Sequence, residues 1–174
     1  MPVMRETVKS KLKFNEKCLY RDLYLLNMGK LHVAVASGYM NPLHFGHVRY
    51  FEEARKLADA LMVIVNSDEQ VKIKGSQPFM NEKERLNIVQ SIRYVDYALI
   101  SIDKDRTVCE TLREIRKMLP DCKITFCNGG DRTAENVPEN LTCEELGIKM
   151  VFGVGGKKVQ SSSWLLNKAG RHNG

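Results

Sequence analysis

The chain lacks a long apolar run, a paired cysteine motif and any internal repeat. Without an apolar stretch of signal-peptide or membrane-spanning length, we expect neither a secretory leader nor a transmembrane segment. None of the five cysteines falls in a Cys-x-x-Cys pair, which argues against a structural zinc site and against a disulfide framework. The odd number of cysteines and the absent secretory signal predict reduced thiols and a cytoplasmic protein.

Positive charge is concentrated near the amino terminus. The net charge is +6, and residues 1–30 contribute +4 of it, with seven basic and three acidic side chains. Such a segment could bind nucleic acid or a membrane surface, but no RNA-binding motif and no interleaving of aromatic and basic residues accompanies it. We favour a basic extension, 1–30, in which leucines at helical spacing within Cys18–Met28 pack on the domain, 31–174, or on a second subunit.

Five apolar runs and four amphipathic segments alternate along the remainder, which has the length of one domain with a substantial core. Strands that alternate with helices are typical of α/β proteins with a parallel sheet, so we predict a Rossmann-like, doubly wound, five-stranded fold. Ligands of such sheets bind beyond the carboxyl ends of the strands. The predicted strands are 31–36, 60–65, 97–101, 123–127 and 148–152, and the predicted helices are 48–58, 81–92, 107–119 and 161–169.

Two histidines lie at the first junction between a strand and a helix. The loop 37–47 ends with His44 and His47, whose spacing places them on one side of a first helical turn. A helix N-terminus offers free backbone N–H groups and a dipole that favours anions. Gly46 has no Cβ, so a ligand can approach the backbone there. We interpret the loop as a phosphate-binding site; the alternative is a pair of ordinary loop and surface histidines.

These residues resemble the His-x-Gly-His signature of a nucleotidyltransferase superfamily that includes the cytidylyltransferases. The resemblance covers about residues 31–169 and is nearest in pattern to heptose-1-phosphate adenylyltransferases and glycerol-3-phosphate cytidylyltransferases. Further segments that resemble family motifs are Asn66-Ser67-Asp68, Lys72-Ile73-Lys74-Gly75, Asn81-Glu82-Lys83-Glu84-Arg85, Val95-Asp96, Gly129-Gly130-Asp131 and Gln160-Ser161-Ser162-Ser163.

The resemblance implies transfer of a nucleoside monophosphate from a nucleoside triphosphate to a phosphorylated sugar, polyol or alcohol, with release of pyrophosphate. It also implies Mg²⁺ that accompanies the triphosphate without a dedicated protein cage, and a homodimer. The implied catalytic residues are His44, His47, Lys72 and Lys74. The implied nucleotide-binding residues are Gly38, Tyr39, Met40, Asn41, Gly46, Asn66, Arg85, Gly129, Gly130, Asp131, Gln160, Ser161, Ser162 and Ser163.

The segment 67–79 combines a glycine, a proline and several charges with few apolar anchors. This composition predicts a loop that is mobile when empty and that closes over bound phosphates through Lys72 and Lys74. The usual alternative for two such lysines is a solvated basic loop.

Two departures from the family pattern affect the choice of nucleotide. Asn41 stands where many members have Asp, and residues 155–161 replace the Arg-Thr-x-Gly-Ile-Ser motif of the cytidylyltransferases. We therefore favour ATP slightly over CTP as the donor. Three other interpretations remain open: an adenylyltransferase of cofactor biosynthesis, a non-catalytic nucleotide-sensing protein of the same fold, and a basic RNA- or membrane-associated module.

Overall fold

The structure is a computed structural model that describes residues 13–14, 28, 31–130, 132–156 and 161–170. Strands and helices alternate along most of this part of the chain. The strands are β1 (Lys13–Phe14), β2 (His32–Gly38), β3 (Ala60–Val65), β4 (Tyr97–Ile100), β5 (Lys123–Gly129) and β6 (Lys149–Val154). The helices are α1 (Phe45–Lys56), α2 (Asp68–Ile73), α3 (Glu82–Gln90), α4 (Cys109–Met118), α5 (Asn140–Glu145) and α6 (Ser162–Gly170), with a 3₁₀ turn at Ala134–Asn136.

The strands form one sheet in the order β1-β4-β3-β2-β5-β6. Strands β2 to β6 pair in parallel, which confirms the predicted five-stranded, doubly wound α/β architecture. The extension adds a sixth strand, because β1 pairs antiparallel with Leu99 and Ile100 of β4. A strand of two residues has no periodicity to detect in the sequence. The helix predicted within Cys18–Met28 lies outside the described residues except for Met28, which is helical.

Helices cover both faces of the sheet, because strands of a parallel sheet are apolar on both sides. All six residues of β3 are buried. On one face α1 and α3 contribute Phe51 and Val89 to an apolar cluster, and on the other face α4 contributes Leu112 and Ile115 to a second cluster. The carboxyl ends of the strands are therefore the rim where the connecting loops converge.

The segment predicted to be a mobile loop begins with a capped helix. Ser67 Oγ accepts from the backbone N–H of Gln70, and Gln70 Oε1 accepts from the N–H of Ser67, which forms a capping box at the start of α2. Gln70 is fully buried, and its Nε2 donates to the carbonyls of Asp105 and Thr107. The prediction of a loop over all of 67–79 is therefore wrong for 68–73, which form α2 and are anchored by the buried Gln70 and Val71.

Arg85 of α3 is buried behind the ends of two strands. Its Nη2 lies 2.6 Å from Asp68 Oδ1 at the start of α2, with the arginine side chain 0% exposed. Its Nη1 donates to the carbonyls of Tyr39 (2.6 Å) and Asn66 (2.8 Å), which follow β2 and β3, and its Nε donates to the carbonyl of Met80 (3.0 Å). Because the guanidinium is bound within the protein, the direct nucleotide contact predicted for Arg85 is corrected to a positioning role.

We expect Arg85→Lys to lower the free energy of unfolding by about 2–4 kcal/mol, because one ammonium cannot serve three carbonyls and a carboxylate that remain buried. Urea denaturation measures this change. Arg93→Lys is the matched control, since Arg93 is an exposed arginine just beyond the same helix, and should change stability by less than about 0.5 kcal/mol. Equal, small effects of the two substitutions would show that Arg85 does not hold the strand ends together.

Candidate functional site

A cavity of about 560 Å³ opens at the carboxyl ends of β2 and β5, between the N-termini of α1 and α6. The sheet order reverses at this place, which is where ligands bind in doubly wound sheets. The structure brings twelve of the predicted site residues to this cavity: Gly38, Tyr39, Met40, Asn41, His44, Gly46, His47, Lys74, Gly129, Gly130, Ser161 and Ser162.

The remaining predicted residues lie elsewhere or outside the described residues. Lys72 is exposed on α2 and lines neither this cavity nor its neighbour, and its predicted closure over bound phosphates stays a prediction. Asn66 lines a second cavity. Asp131 and Gln160 lie outside the described residues, and Ser163 is described only as part of α6.

Both histidines are oriented by backbone N–H groups at the start of α1. His44 Nδ1 accepts from the N–H of Gly46 (3.1 Å), and His47 Nδ1 accepts from the N–H of His44 (3.2 Å). A ring nitrogen that accepts a hydrogen bond carries no proton, so each neutral ring is protonated on Nε2. The two rings lie against each other with centroids 4.0 Å apart. The arrangement therefore presents two Nε2–H donors at a site for anions.

His47 is a neutral donor across the physiological pH range. Burial, followed by the nearby His44 and Lys74, lowers the pKa of His47 to about 3. Desolvation disfavours the charged form of a base, and neighbouring positive charge has the same effect. Positive charge at the cavity must consequently come from other side chains.

Three basic residues line the cavity, and two of them escaped the sequence reasoning. Lys74 follows α2 and lies with its Nζ 4.2 Å from the centre of the Tyr39 ring, a distance at which a cation and an aromatic face attract. Arg49 on α1 and Arg132 after β5 also line the cavity. Arg132 follows the Gly-Gly-Asp segment directly, which is the signal that could have identified it.

Asn41 anchors the chain that follows α2. Its Nδ2 donates to the carbonyl of Gln77 (2.8 Å), and its Oδ1 accepts from the N–H of Phe79 (2.6 Å). A carboxylate has no N–H and could make only the second of these bonds. The amide therefore suits the position where many relatives of the predicted superfamily have Asp.

Tyr50 connects α1 to the strands on the far side of the cavity. Its hydroxyl donates to the carbonyl of Cys127. A Cβ on Gly155 would lie 2.9 Å from Tyr50 Cα, and Gly155 also has a φ of +86°, so only glycine fits there. Gly129 faces the same ring, since its Cβ would lie 3.2 Å from Tyr50 Cδ2. The glycines of this region thus allow β5, β6 and α1 to approach one another closely.

The two described serine side chains at the start of α6 have protein partners. Ser161 Oγ accepts from the N–H of Trp164 (3.3 Å) and caps the helix. Ser162 Oγ donates to the carbonyl of Pro42 (2.8 Å) and joins α6 to the histidine loop. The N-terminus of this helix lines the cavity through Ser161 and Ser162, and a helix N-terminus favours negative charge.

Asn128 is a site residue that the sequence did not reveal. It is the second-last residue of β5, is buried, and has neither its Oδ1 nor its Nδ2 bonded to any residue in the described ranges. Buried amides are normally paired, so an unpaired one in a cavity wall indicates a ligand that completes it. A polar residue that follows an apolar run and precedes two glycines is the signal that could have identified it.

A second cavity of about 490 Å³ adjoins the first. The two cavities share Ser37, Tyr39, Lys74 and Arg132 in their walls. The second one extends toward Arg106, which precedes α4. A molecule in each cavity would therefore meet its neighbour beside Lys74 and Arg132.

The described residues contain no cluster of metal-ligating side chains and no helix of membrane-spanning character. Across residues 31–130, 132–156 and 161–170, no three His, Cys, Asp or Glu side chains cluster as a metal site would require. The four cysteines among the described residues are free, and burial raises the pKa of Cys127 and Cys143 to about 12, so these two are not poised as nucleophiles. Within the same part of the chain, every helix is too short or too polar to cross a bilayer.

The lowered pKa of His47 predicts a loss of stability in mild acid. Between about pH 3 and 6.5 the unfolded chain binds a proton at His47 and the folded chain does not, so this residue's contribution to stability is complete above pH 6.5 and falls as the pH decreases. Going from pH 7.5 to 5.0 should cost the wild type up to about 2 kcal/mol more than His47→Gln.

Urea denaturation at both pH values measures this difference. His32→Gln serves as the control, because His32 lies outside the cavity and its replacement leaves the His47 contribution in place. An identical pH dependence in the wild type and His47→Gln would contradict a neutral, desolvated His47.

Comparison with known proteins supports the same fold. Residues 35–158 match the cytidylyltransferase-like family. The chain is 34% identical over 140 residues to the bifunctional protein HldE of Aliarcobacter butzleri, and the aligned segment covers 79% of this chain and 27% of that protein. It is 45% identical over 82 residues to the FAD synthase of Methanolacinia petrolearia, and the aligned segment covers 47% of this chain and 53% of that protein. The chain thus spans about half of the FAD synthase and about a quarter of HldE.

A solved structure shares the architecture. The lipopolysaccharide core biosynthesis protein from Thermoplasma volcanium superposes with a TM-score of 0.56 at 23% sequence identity, covering 70% of this chain and 95% of that one. The matched family segment runs from within β2 through both histidines and into the segment before α6. The sheet order, the histidine pair and this match together lead to one conclusion: the chain belongs to the cytidylyltransferase-like family.

Proposed function

We propose that the protein transfers AMP from ATP to a phosphorylated sugar, polyol or alcohol and releases pyrophosphate. An oxygen of the acceptor phosphate attacks the α-phosphorus, the bond from that phosphorus to the bridging oxygen breaks, and pyrophosphate leaves with the electron pair. One observation carries the proposal: the N-terminus of α1 presents His44 and His47, each with Nδ1 bonded to the backbone and Nε2 as the protonated nitrogen.

This reaction depends on positioning and charge neutralisation more than on a covalent nucleophile. In the proposal the two histidines donate from Nε2–H to triphosphate oxygens. Lys74 and Arg132 supply the positive charge that the neutral His47 ring lacks, at the wall shared by the two cavities. The unpaired amide of Asn128 and the N-terminus of α6 offer further polar groups to the nucleotide.

Mg²⁺ belongs to the substrate in this proposal. Because the described residues hold no cluster of ligating side chains, the ion arrives with ATP and is bound through phosphate oxygens and water. It neutralises part of the triphosphate charge, while the protein orients the phosphates. The homodimer and the cytoplasmic location stay predictions from the sequence.

The relative named FAD synthase favours a second candidate within the same chemistry. FAD consists of AMP joined to the phosphate of flavin mononucleotide, so the flavin nucleotide would take the place of the sugar phosphate as acceptor. The 45% identity to that relative extends over 82 residues, which is less than half of this chain.

Pyrophosphate release from ATP or CTP, each with glucose 1-phosphate, glycerol 3-phosphate or flavin mononucleotide, tests the function. We expect release only when a triphosphate and an acceptor are both present, and faster release with ATP. His47→Asn is the inactive control: its Oδ1 can still accept from the His44 N–H, but no donor replaces Nε2–H, so kcat should fall by ~10²-fold or more. Binding of ATP without turnover of any pair would instead indicate a nucleotide-sensing protein.

Lys74 and Lys72 form a matched pair of variants. Lys74 follows α2 and lines both cavities, whereas Lys72 lies on α2 and lines neither. Lys74→Ala should lower kcat/KM by ~10²-fold, while Lys72→Ala should lower it by less than about threefold, and neither should change the melting temperature substantially. Equal losses in the two variants would place the functional charge on the helix surface instead of in the cavities.

A further inference from the structure

If the proposed function is correct, the second cavity holds the acceptor. The residues of its wall then determine which acceptors fit. ATP in the first cavity leaves the adjoining space for the attacking molecule. Lys74 and Arg132 lie where the two cavities meet, so the phosphate of the acceptor belongs at that end. The rest of the acceptor must extend along the remaining wall, which includes Arg106, Asn66, Asn136 and Glu139.

Glu139 is the unusual member of this wall. It is 3% exposed, and its Oε1 accepts from the N–H of Val108 (3.1 Å) just before α4. That bond fixes the carboxyl group beside the N-terminus of α4. The second oxygen, Oε2, is buried without a hydrogen-bond partner among the residues that the structure describes. An unpaired carboxylate oxygen in a cavity wall requires a donor from a ligand.

The surroundings decide which kind of donor fits. In the described wall, the basic side chains Lys74, Arg106 and Arg132 outnumber the single acid Glu139, and this excess of positive charge disfavours a further cation such as an ammonium group. Tyr39 is the single aromatic residue in the described wall, which offers little stacking surface for a flavin ring. A neutral hydroxyl group on a compact polar molecule fits this wall, because it adds no positive charge and needs no stacking surface.

We infer that Glu139 is a specificity-determining residue, whose Oε2 accepts a hydrogen bond from a hydroxyl group of a sugar or polyol phosphate bound in the second cavity. The basic side chains bind the phosphate at one end of the molecule, and Glu139 recognises a hydroxyl at a distance from it. An alkyl phosphate of the same shape leaves the carboxylate oxygen unpaired and binds more weakly, because a buried polar group without its partner is costly.

Calorimetric binding to the full chain with α,β-methylene-ATP tests this recognition without turnover. Two matched pairs serve as probes: glycerol 3-phosphate against propyl phosphate, and glucose 1-phosphate against cyclohexyl phosphate. We expect the wild type to bind at least one hydroxylated member ~10-fold or more tightly than its alkyl partner. In Glu139→Gln the amide keeps an oxygen for the Val108 N–H and replaces Oε2 by an NH₂ group, so the preference should fall to about twofold or less.

Glu144→Gln is the control, because Glu144 lies exposed on the adjacent helix α5 and should leave the preference unchanged. The wild-type measurement needs no variant to fold: equal affinity within both pairs, or no binding of any probe, overturns the inference. Retained preference in a folded Glu139→Gln also overturns it, as does tighter binding of phosphoethanolamine or flavin mononucleotide than of either hydroxylated probe. Failure of the proposed function has a different signature, namely probe binding without pyrophosphate release from ATP.

Discussion

The buried guanidinium of Arg85 is the interaction on which the geometry of the site depends. It bonds to the backbone after β2, the backbone after β3 and the first carboxylate of α2. The backbone after β2 leads into the histidine loop. The backbone after β3 leads into α2, which Lys74 follows. A charged group so deeply buried is stable only when its donors are satisfied. The carbonyls after the two strands accept hydrogen bonds from the guanidinium. The same bonds hold these carbonyls in position around the two cavities.

The start of α1 serves two purposes that compete for the same atoms. The N–H groups of His44 and Gly46 would be free to bind an anion, but they donate to imidazole nitrogens instead. The helix thereby exchanges two backbone donors for two side-chain donors that reach further into the cavity. The rings gain a defined tautomer, and burial keeps His47 neutral. The positive charge that attracts anions comes from Arg49 on α1, Lys74 after α2 and Arg132 after β5.

The sequence predicted the parts of the structure that local pattern determines. The strands β2 to β6 appeared as continuous apolar runs because both faces of a parallel sheet are buried. His44, Gly46 and His47 could be found because their spacing is itself the geometry of a helix start. Arg85 was misjudged because three of its four partners are 17 to 46 residues away along the chain. Helix α2 was missed since Gln70, a polar residue, fixes it through contacts with 105–107. Asn128 and Glu139 became visible only when their burial and their partners were known.

Gln70 also couples two parts of the site that are distant in sequence. Through its Nε2 it holds the carbonyls on both sides of Arg106, while Lys74 follows the same helix four residues later. Helix α2 and the segment 105–107 therefore behave as one mechanical unit. Lys74 and Arg106 reach the second cavity from different elements, yet a shift of either backbone carries the other with it. The two exposed side chains therefore extend toward a ligand from backbone positions whose separation is set inside the protein.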